Sequence, residues 1–148
     1  YRGRLRVKEM VRKFSEPPKA TPEVIRAIGK AEAVILGPSN PVTSIAPILE
    51  CAGVTEALAG KFVVAVSPFI GDRPVSGPAA ELMRAWGREP DSRGTSGLYE
   101  DIADVFIQDI GDPVKVDGAV RLNTLMRDRP VAEALAGEIL RLVRGKSS

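Results

Sequence analysis

The chain has no histidine and a single cysteine, Cys51, among 148 residues. The first absence removes Ser-His-Asp and Cys-His catalysis together with the commonest zinc ligand. The second excludes an internal disulfide, and the position of Cys51 between Leu49 and Val54 marks it as a small buried hydrophobe. No apolar run approaches the roughly 18 residues of a membrane span, and no secretory signal pattern is present, so the expected setting is the cytoplasm with no membrane partner. One sign of charge does not dominate: 21 basic and 19 acidic residues leave a formal charge of +2. Apart from Arg2, Arg4, Arg6 and Lys8 the basic residues are scattered, which argues for a solvated surface and against nucleic acid as a partner. Chemistry must therefore rest on carboxylates, hydroxyls, Lys, Arg, backbone donors or a hard metal. The chain also begins at Tyr1, not Met, which suggests that residues upstream are missing.

What is present reads as one α/β region over residues 1–148, with a normal 44% hydrophobic content. Arg4 to Val11 alternates weakly, as an early strand would, and a Pro-rich connection follows. Thr21, Pro22 and Glu23 carry the signals of a helix start, and the helix ends at Gly29. Ala33 to Leu36 and Lys61 to Val66 are unbroken apolar runs, suited to strands covered on both faces. Between them, Pro47 limits a helix from Pro41 to one turn or forces a restart, and Val54 to Leu58 adds a short helical piece. Pro78 to Trp86 is expected to be a helix with Leu82, Met83 and Trp86 on one side, Arg88 to Ser96 a polar loop, and Leu98 to Ala103 a further helix. Strands are expected at Val105 to Ile107 and Val120 to Thr124. Asp128 then caps a long helix whose Val131, Leu135, Ile139, Leu142 and Val143 recur at three-to-four spacing. This alternation predicts a Rossmann-like three-layer α/β sandwich with a mainly parallel sheet, whose ligands sit beyond the carboxyl ends of the strands.

The unusual loops fall at those ends. Gly37-Pro38-Ser39-Asn40-Pro41 follows the first apolar strand, and its two prolines stiffen it. Asn40 as N-cap and Pro41 at the first helical position would leave the N–H groups of Val42, Thr43 and Ser44 free at a helix start, where anions are attracted. Ser39, Asn40, Thr43 and Ser44 supply hydroxyl and amide groups around that point, although capping and turn formation alone would also use them. After the next strand, Ser67-Pro68-Phe69-Ile70-Gly71-Asp72 leads to Ser76-Gly77-Pro78, which repeats the design and offers Ser67, Gly71, Ser76 and Gly77 as a second wall. Asp109 and Asp112 could hold a metal or a sugar hydroxyl, or simply a turn. Trp86 and Tyr99 could stack on a ring system, or belong to the core. No complete P-loop and no dinucleotide fingerprint occurs.

The run from Gly37 to Leu49, with Val66-Ser67-Pro68 and Ser76-Gly77-Pro78-Ala79-Ala80, closely resembles the 2-phospho-L-lactate transferase family. The likeness extends less strictly through Leu98-Tyr99, Phe106-Ile107 with Asp109, and Thr124-Leu125-Met126. The resemblance implies a cytoplasmic, magnesium-dependent (Mg2+) enzyme of deazaflavin coenzyme biosynthesis. Such an enzyme moves a phospholactyl or phosphoenolpyruvyl group from a guanosine diphosphate-activated donor to a deazaflavin alcohol and releases GMP. It also implies that Gly37, Ser39, Asn40, Thr43, Ser44, Ser67, Gly71, Ser76 and Gly77 bind substrate.

One departure matters. Family members open with a Gly-rich nucleotide loop after their first strand, followed by acidic metal-binding residues, and neither pattern is present. The chain therefore resembles the C-terminal half of the fold, with metal ligands, nucleotide loop and catalytic acid or base expected outside it. A sheet edge left open by that division would favour association, so a homodimer is a candidate assembly. Two other readings remain: a nucleotide-sugar-binding regulator of the related family, whose loop reads Gly-Pro-Gly-Ser followed by Leu-Tyr-Thr-Ser where this chain has Asn40 and Pro41, and an inactive fragment or scaffold.

Overall fold

The computed structural model describes residues 7–75 and 77–146. Helix α1 spans Pro22–Lys30, where Thr21 Oγ1 accepts from the Val24 N–H at 3.4 Å and Pro22 presets the first helical φ. At its other end Lys61 Nζ donates to the carbonyls of Gly29 (2.6 Å) and Ala31 (3.1 Å), placing a cation on the negative end of the helix dipole. Strand β1 follows at Ala33–Leu36. Pro41–Ile45 then forms a widened π turn that runs into α2, Ala46–Leu49. The widening has a local cause: Pro47 has no N–H to donate, and the Ile45 and Ala46 N–H groups reach back five residues to the Asn40 and Pro41 carbonyls. The Val42 carbonyl accepts instead from Arg12 Nη2 at 3.0 Å, while Arg12 Nε binds Glu50 Oε2 at 2.6 Å. One guanidinium thus ties the N-terminal segment to both ends of this helical stretch.

The remaining elements are α3 (Val54–Leu58), β2 (Phe62–Val66), a hairpin of β3 (Phe69–Ile70) and β4 (Arg73–Pro74), α4 (Ala79–Ala85), α5 (Ser92–Tyr99), β5 (Val105–Asp109), β6 (Val120–Leu122) and α6 (Arg129–Lys146). The four long-range strands form a parallel sheet in the order β1-β2-β5-β6, with Val34 opposite Val63, Val64 opposite Val105 and Ile107 opposite Val120. Alternate residues divide its faces. Val64, Val66 and Ile107 pack under Leu135 and Ile139 of α6, whereas Val63 and Ala65 face α3, the Pro41 turn and α5 through Val54, Leu58, Ile45 and Tyr99. Helix α6 does not reach the outer strand: Ile35, in register with Val64, is 48% exposed. A third cluster joins Val42, Phe69 of the hairpin and Ala79, Ala80, Leu82 and Met83 of α4.

The parallel α/β architecture, α1, β1, α3 and the Asp128-capped α6 agree with expectation, and Asp128 Oδ1 accepts from the Val131 N–H at 3.0 Å. Several boundaries differ. Residues 7–11 have no strand, and the rest of the expected first strand lies outside the described residues. The last strand stops at Leu122, and Trp86 is 36% exposed, off the buried side of α4. The expected loop over Arg88 to Ser96 and helix over Leu98 to Ala103 are replaced by α5, which begins at Ser92 and ends at Tyr99. Gly94 and Gly97 disguise this helix, yet Asp91 Oδ1 caps the Gly94 N–H at 2.9 Å, and Ser92, Thr95 and Tyr99 bury one stripe. Gly94 is required sterically, because a Cβ there would lie 2.0 Å from the Glu89 carbonyl oxygen. Among the described residues no helix is long and apolar enough to cross a membrane.

Leu135→Ala should lower the unfolding free energy by about 2–5 kcal/mol, because it empties space under the sheet. Leu140→Ala on the exposed side of the same helix should change it by about 0.5 kcal/mol or less, both measured by urea denaturation. A second prediction concerns Asp104, which accepts from the Val63 N–H (2.8 Å) and from Lys146 Nζ (3.0 Å). The Val63 N–H, aided by Lys146 and opposed by partial burial, holds its carboxyl below the usual range. A depressed folded pKa contributes stability above the unfolded value, lost as pH falls through the folded one. The stability gap between wild type and Asp104→Asn should therefore be level above about pH 5 and shrink below about pH 4.

Candidate functional site

Because every strand of the main sheet runs the same way, the segments after β1, β2, β5 and β6 gather at one edge. The first is the Gly37–Asn40 loop. Gly37 and Ser39 are exposed, and the Ser39 N–H folds back on the Gly37 carbonyl at 2.7 Å. Asn40 caps the helical turn: its Oδ1 accepts from the N–H groups of Val42 (3.0 Å) and Thr43 (3.2 Å), and its carbonyl accepts from Ser44 (3.0 Å). The expected free N–H groups of Val42, Thr43 and Ser44 are thus already paired, which corrects the reading of this turn as an open anion cradle. The polar groups that face outward are the hydroxyls of Ser39 and Thr43, both exposed, with Ser44 half-buried beside them.

The second loop is organised differently. Ser67 is fully buried, and the Ser67 and Ser92 hydroxyl oxygens lie 2.7 Å apart. Ser92 Oγ has one proton, which goes to Asp112 Oδ2 at 2.5 Å, so Ser67 must donate to Ser92 while its own oxygen accepts from the Phe69 N–H at 3.1 Å. Asp112 is the sink of this relay. Its Oδ1 accepts from the N–H groups of Gly71 (2.9 Å) and Val114 (2.9 Å), and its Oδ2 accepts also from Gln108 Nε2 at 3.3 Å. Four donors on one carboxylate that is 2% exposed make a buried charge tolerable. Gly71 sits at φ +65°, a left-handed conformation that favours glycine, and this turns its N–H onto Asp112. Gly77 is exposed, while Ser76 lies outside the described residues.

The same knitting continues across the sheet. Gln108, 1% exposed, donates to the Val114 carbonyl (2.6 Å) and accepts from the Val116 N–H (3.0 Å). Asp109 accepts from the Gly111 N–H (2.8 Å) and from both the N–H (2.9 Å) and hydroxyl (3.1 Å) of Thr124. Asp109 and Asp112 therefore both accept from backbone N–H groups and neighbouring side chains of this edge. Among the described residues no three acidic, cysteine or histidine side chains converge as a metal site. Ser92 and Gln108 were missed in the sequence because one falls in a stretch that reads as loop and the other looks like the polar end of a strand. The serine before a Gly-containing turn and the cap residue Asp91 were the signals available.

Cavities lie both at this edge and away from it: one of about 280 Å³ is lined by Leu122 and Asn123 at the exit of β6. One of about 540 Å³ sits at the opposite end of the sheet, between Lys61, Asp101, Asp104 and Lys146, where Lys146 Nζ also lies 4.6 Å from the centre of the Phe62 ring. Another, of about 270 Å³, lies between Pro41, Leu49, Trp86 and Tyr99.

Residues 2–132 match the family described as 2-phospho-L-lactate transferase CofD. A 2-phospho-L-lactate transferase of Methanocorpusculum labreanum is 58% identical over 142 residues, covering 94% of this chain and 47% of that protein. One of Methanospirillum hungatei is 57% identical over 140 residues, covering 95% and 47%, and one of Methanopyrus kandleri is 47% identical over 135 residues, covering 87% and 42%. The chain spans about half the length of the curated relatives it matches.

Asp112→Asn keeps the size of the side chain but sets an amide N–H₂ against N–H and O–H donors. Unfolding free energy should fall by about 3 kcal/mol or more, measured by chemical denaturation. A loss under about 1 kcal/mol would show that the relay contributes little to stability.

Proposed function

Because the chain belongs to the 2-phospho-L-lactate transferase family, we propose that it supplies part of a substrate-binding edge for phospholactyl transfer. The reaction moves a phospholactyl group, or a phosphoenolpyruvyl group, from a guanosine diphosphate-activated donor to a deazaflavin alcohol. The observation that carries this reading is the 58% identity to a named transferase across 94% of the chain. In the step itself the alcohol oxygen attacks the phosphorus that bears the three-carbon acid. The bond from that phosphorus to the GMP oxygen breaks, GMP leaves with the electron pair, and the alcohol proton passes to a base outside these loops. Such transfer depends on positioning and charge neutralisation, which a chain without histidine can support.

Within this reading the nine substrate-binding candidates divide into two kinds of work. Ser39, Thr43 and Ser44 offer hydroxyls to the ligand, Gly37 and Gly77 let the backbone approach it, and Ser76, outside the described residues, is kept as a candidate on its residue type alone. Asn40, Ser67 and Gly71 are positioning residues, since their polar groups already hold the turn and the relay. That division is supported by exposure, which is high at Ser39 and Thr43 and nil at Ser67. Magnesium does not fit the described residues, whose two buried carboxylates at this edge accept backbone and side-chain protons instead. An ion serving the reaction would have to be held by other side chains.

A chimera tests the reading: this chain replaces the corresponding stretch of the Methanocorpusculum labreanum relative, and GMP release is followed with donor and deazaflavin alcohol. The expected result is turnover that drops roughly tenfold or more in the Ser39→Ala/Thr43→Ala double variant, as for lost hydrogen bonds to a charged group. A folded chimera that releases no GMP would overturn the proposal.

A further inference from the structure

The 540 Å³ cavity lies at the end of the sheet opposite the strand exits, and Lys61, Asp101, Asp104 and Lys146 are the charged residues that line it. Asp104 and Lys146 satisfy each other: Lys146 Nζ donates to Asp104 Oδ1 at 3.0 Å, and the Val63 N–H donates to Asp104 Oδ2 at 2.8 Å. The other pair is left uncompensated. Lys61 Nζ gives two of its three protons to the carbonyls of Gly29 and Ala31, which are neutral, so one N–H and the whole positive charge remain available. The Asp101 carboxylate is exposed and makes no hydrogen bond or ion pair with any described residue, Lys61 included. Its place is unfavourable in isolation, because it follows Tyr99, the last residue of α5, by two positions and so sits at the negative end of that helix dipole. Leu58, 5% exposed, and the half-buried Ile102 give the same cavity an apolar wall.

We propose that this cavity binds a small zwitterion with an apolar body, the chemistry of an apolar amino acid, with its carboxylate on Lys61 and its ammonium on Asp101. Charge accounting argues against the simpler ligands. A phosphate group would bring more negative charge towards Asp101 with one uncompensated cation to receive it, and a divalent cation would find a single free carboxylate beside Lys61. A purely apolar molecule would take both charges out of water and pair neither. The volume falls within the roughly 300–1,000 Å³ of small-molecule pockets. The inference concerns a site remote from the strand exits and does not depend on the transfer reaction.

Gly60 lines the cavity, so its amide resonance reports on binding there. Leucine should shift that resonance saturably. Isocaproate, which lacks the ammonium, and isoamylamine, which lacks the carboxylate, should each bind roughly threefold to fivefold more weakly, the effect of one exposed ion pair. Asp101→Asn should lower the affinity for leucine to that for isocaproate and leave isocaproate binding no weaker. It should not lower the melting temperature, because the carboxylate has no protein partner to lose. A non-saturating shift, equal affinity for the three molecules, or unchanged leucine affinity in Asp101→Asn would each overturn the proposal. So would tighter binding of isocaproate than of leucine, which would make the cavity a site for anions alone.

Discussion

Four strands that all run in one direction impose the plan of this molecule. A parallel pair cannot be closed by a tight turn, so each connection must cross a face of the sheet, and both faces are covered over the central strands, with Ile35 on the outer strand left exposed. The same constraint delivers every strand exit to one edge. There the chain must turn without a ladder partner, and its backbone N–H groups need acceptors other than strands. Asp112 answers that need on one side and Asp109 on the other: between them they accept from the N–H groups of Gly71, Gly111, Val114 and Thr124. Carboxylates that look available for chemistry in a sequence are used here because parallel strands have to end.

Proline sets a second constraint with consequences at a distance. Pro47 withholds one N–H from the turn after β1, the turn widens, and the Val42 carbonyl turns to Arg12, thirty residues earlier. Arg12 in turn neutralises Glu50, which is why the cavity beside Pro41 carries no net charge from that pair. A missing hydrogen on one ring thus helps to decide both how the N-terminal segment is held and what chemistry an adjacent cavity can accept.

Where local signal and burial agree, the fold was legible in the sequence. Thr21-Pro22 and Asp128 announce helices, and Phe62 to Val66 is apolar without interruption because the strand is covered on both faces. Legibility fails where burial involves polar residues. Helix α5 presents Ser92 and Thr95 to the interior, which read as loop residues because their buried partners, Asp112 and the Asp91 carbonyl, are remote or hidden in the backbone. The hairpin at Phe69–Pro74 was invisible for a similar reason: two-residue strands carry no periodicity, and only Phe69, fully buried against Met83, fixes their place. The loops singled out in the sequence do fall at the strand exits, yet which of their polar groups are free could not be read from residue types.

That last point bears on how such a site should be dissected. Ser39 lies three residues past the end of β1 and Ser67 one residue past the end of the neighbouring β2, but one hydroxyl is on an exposed residue and the other sits in a relay ending on a buried carboxylate. Loss of the first removes a contact a ligand could use; loss of the second leaves Ser92 without its donor and strains the edge as a whole. A reduction in activity has opposite meanings in the two cases, and only a parallel measurement of stability separates them.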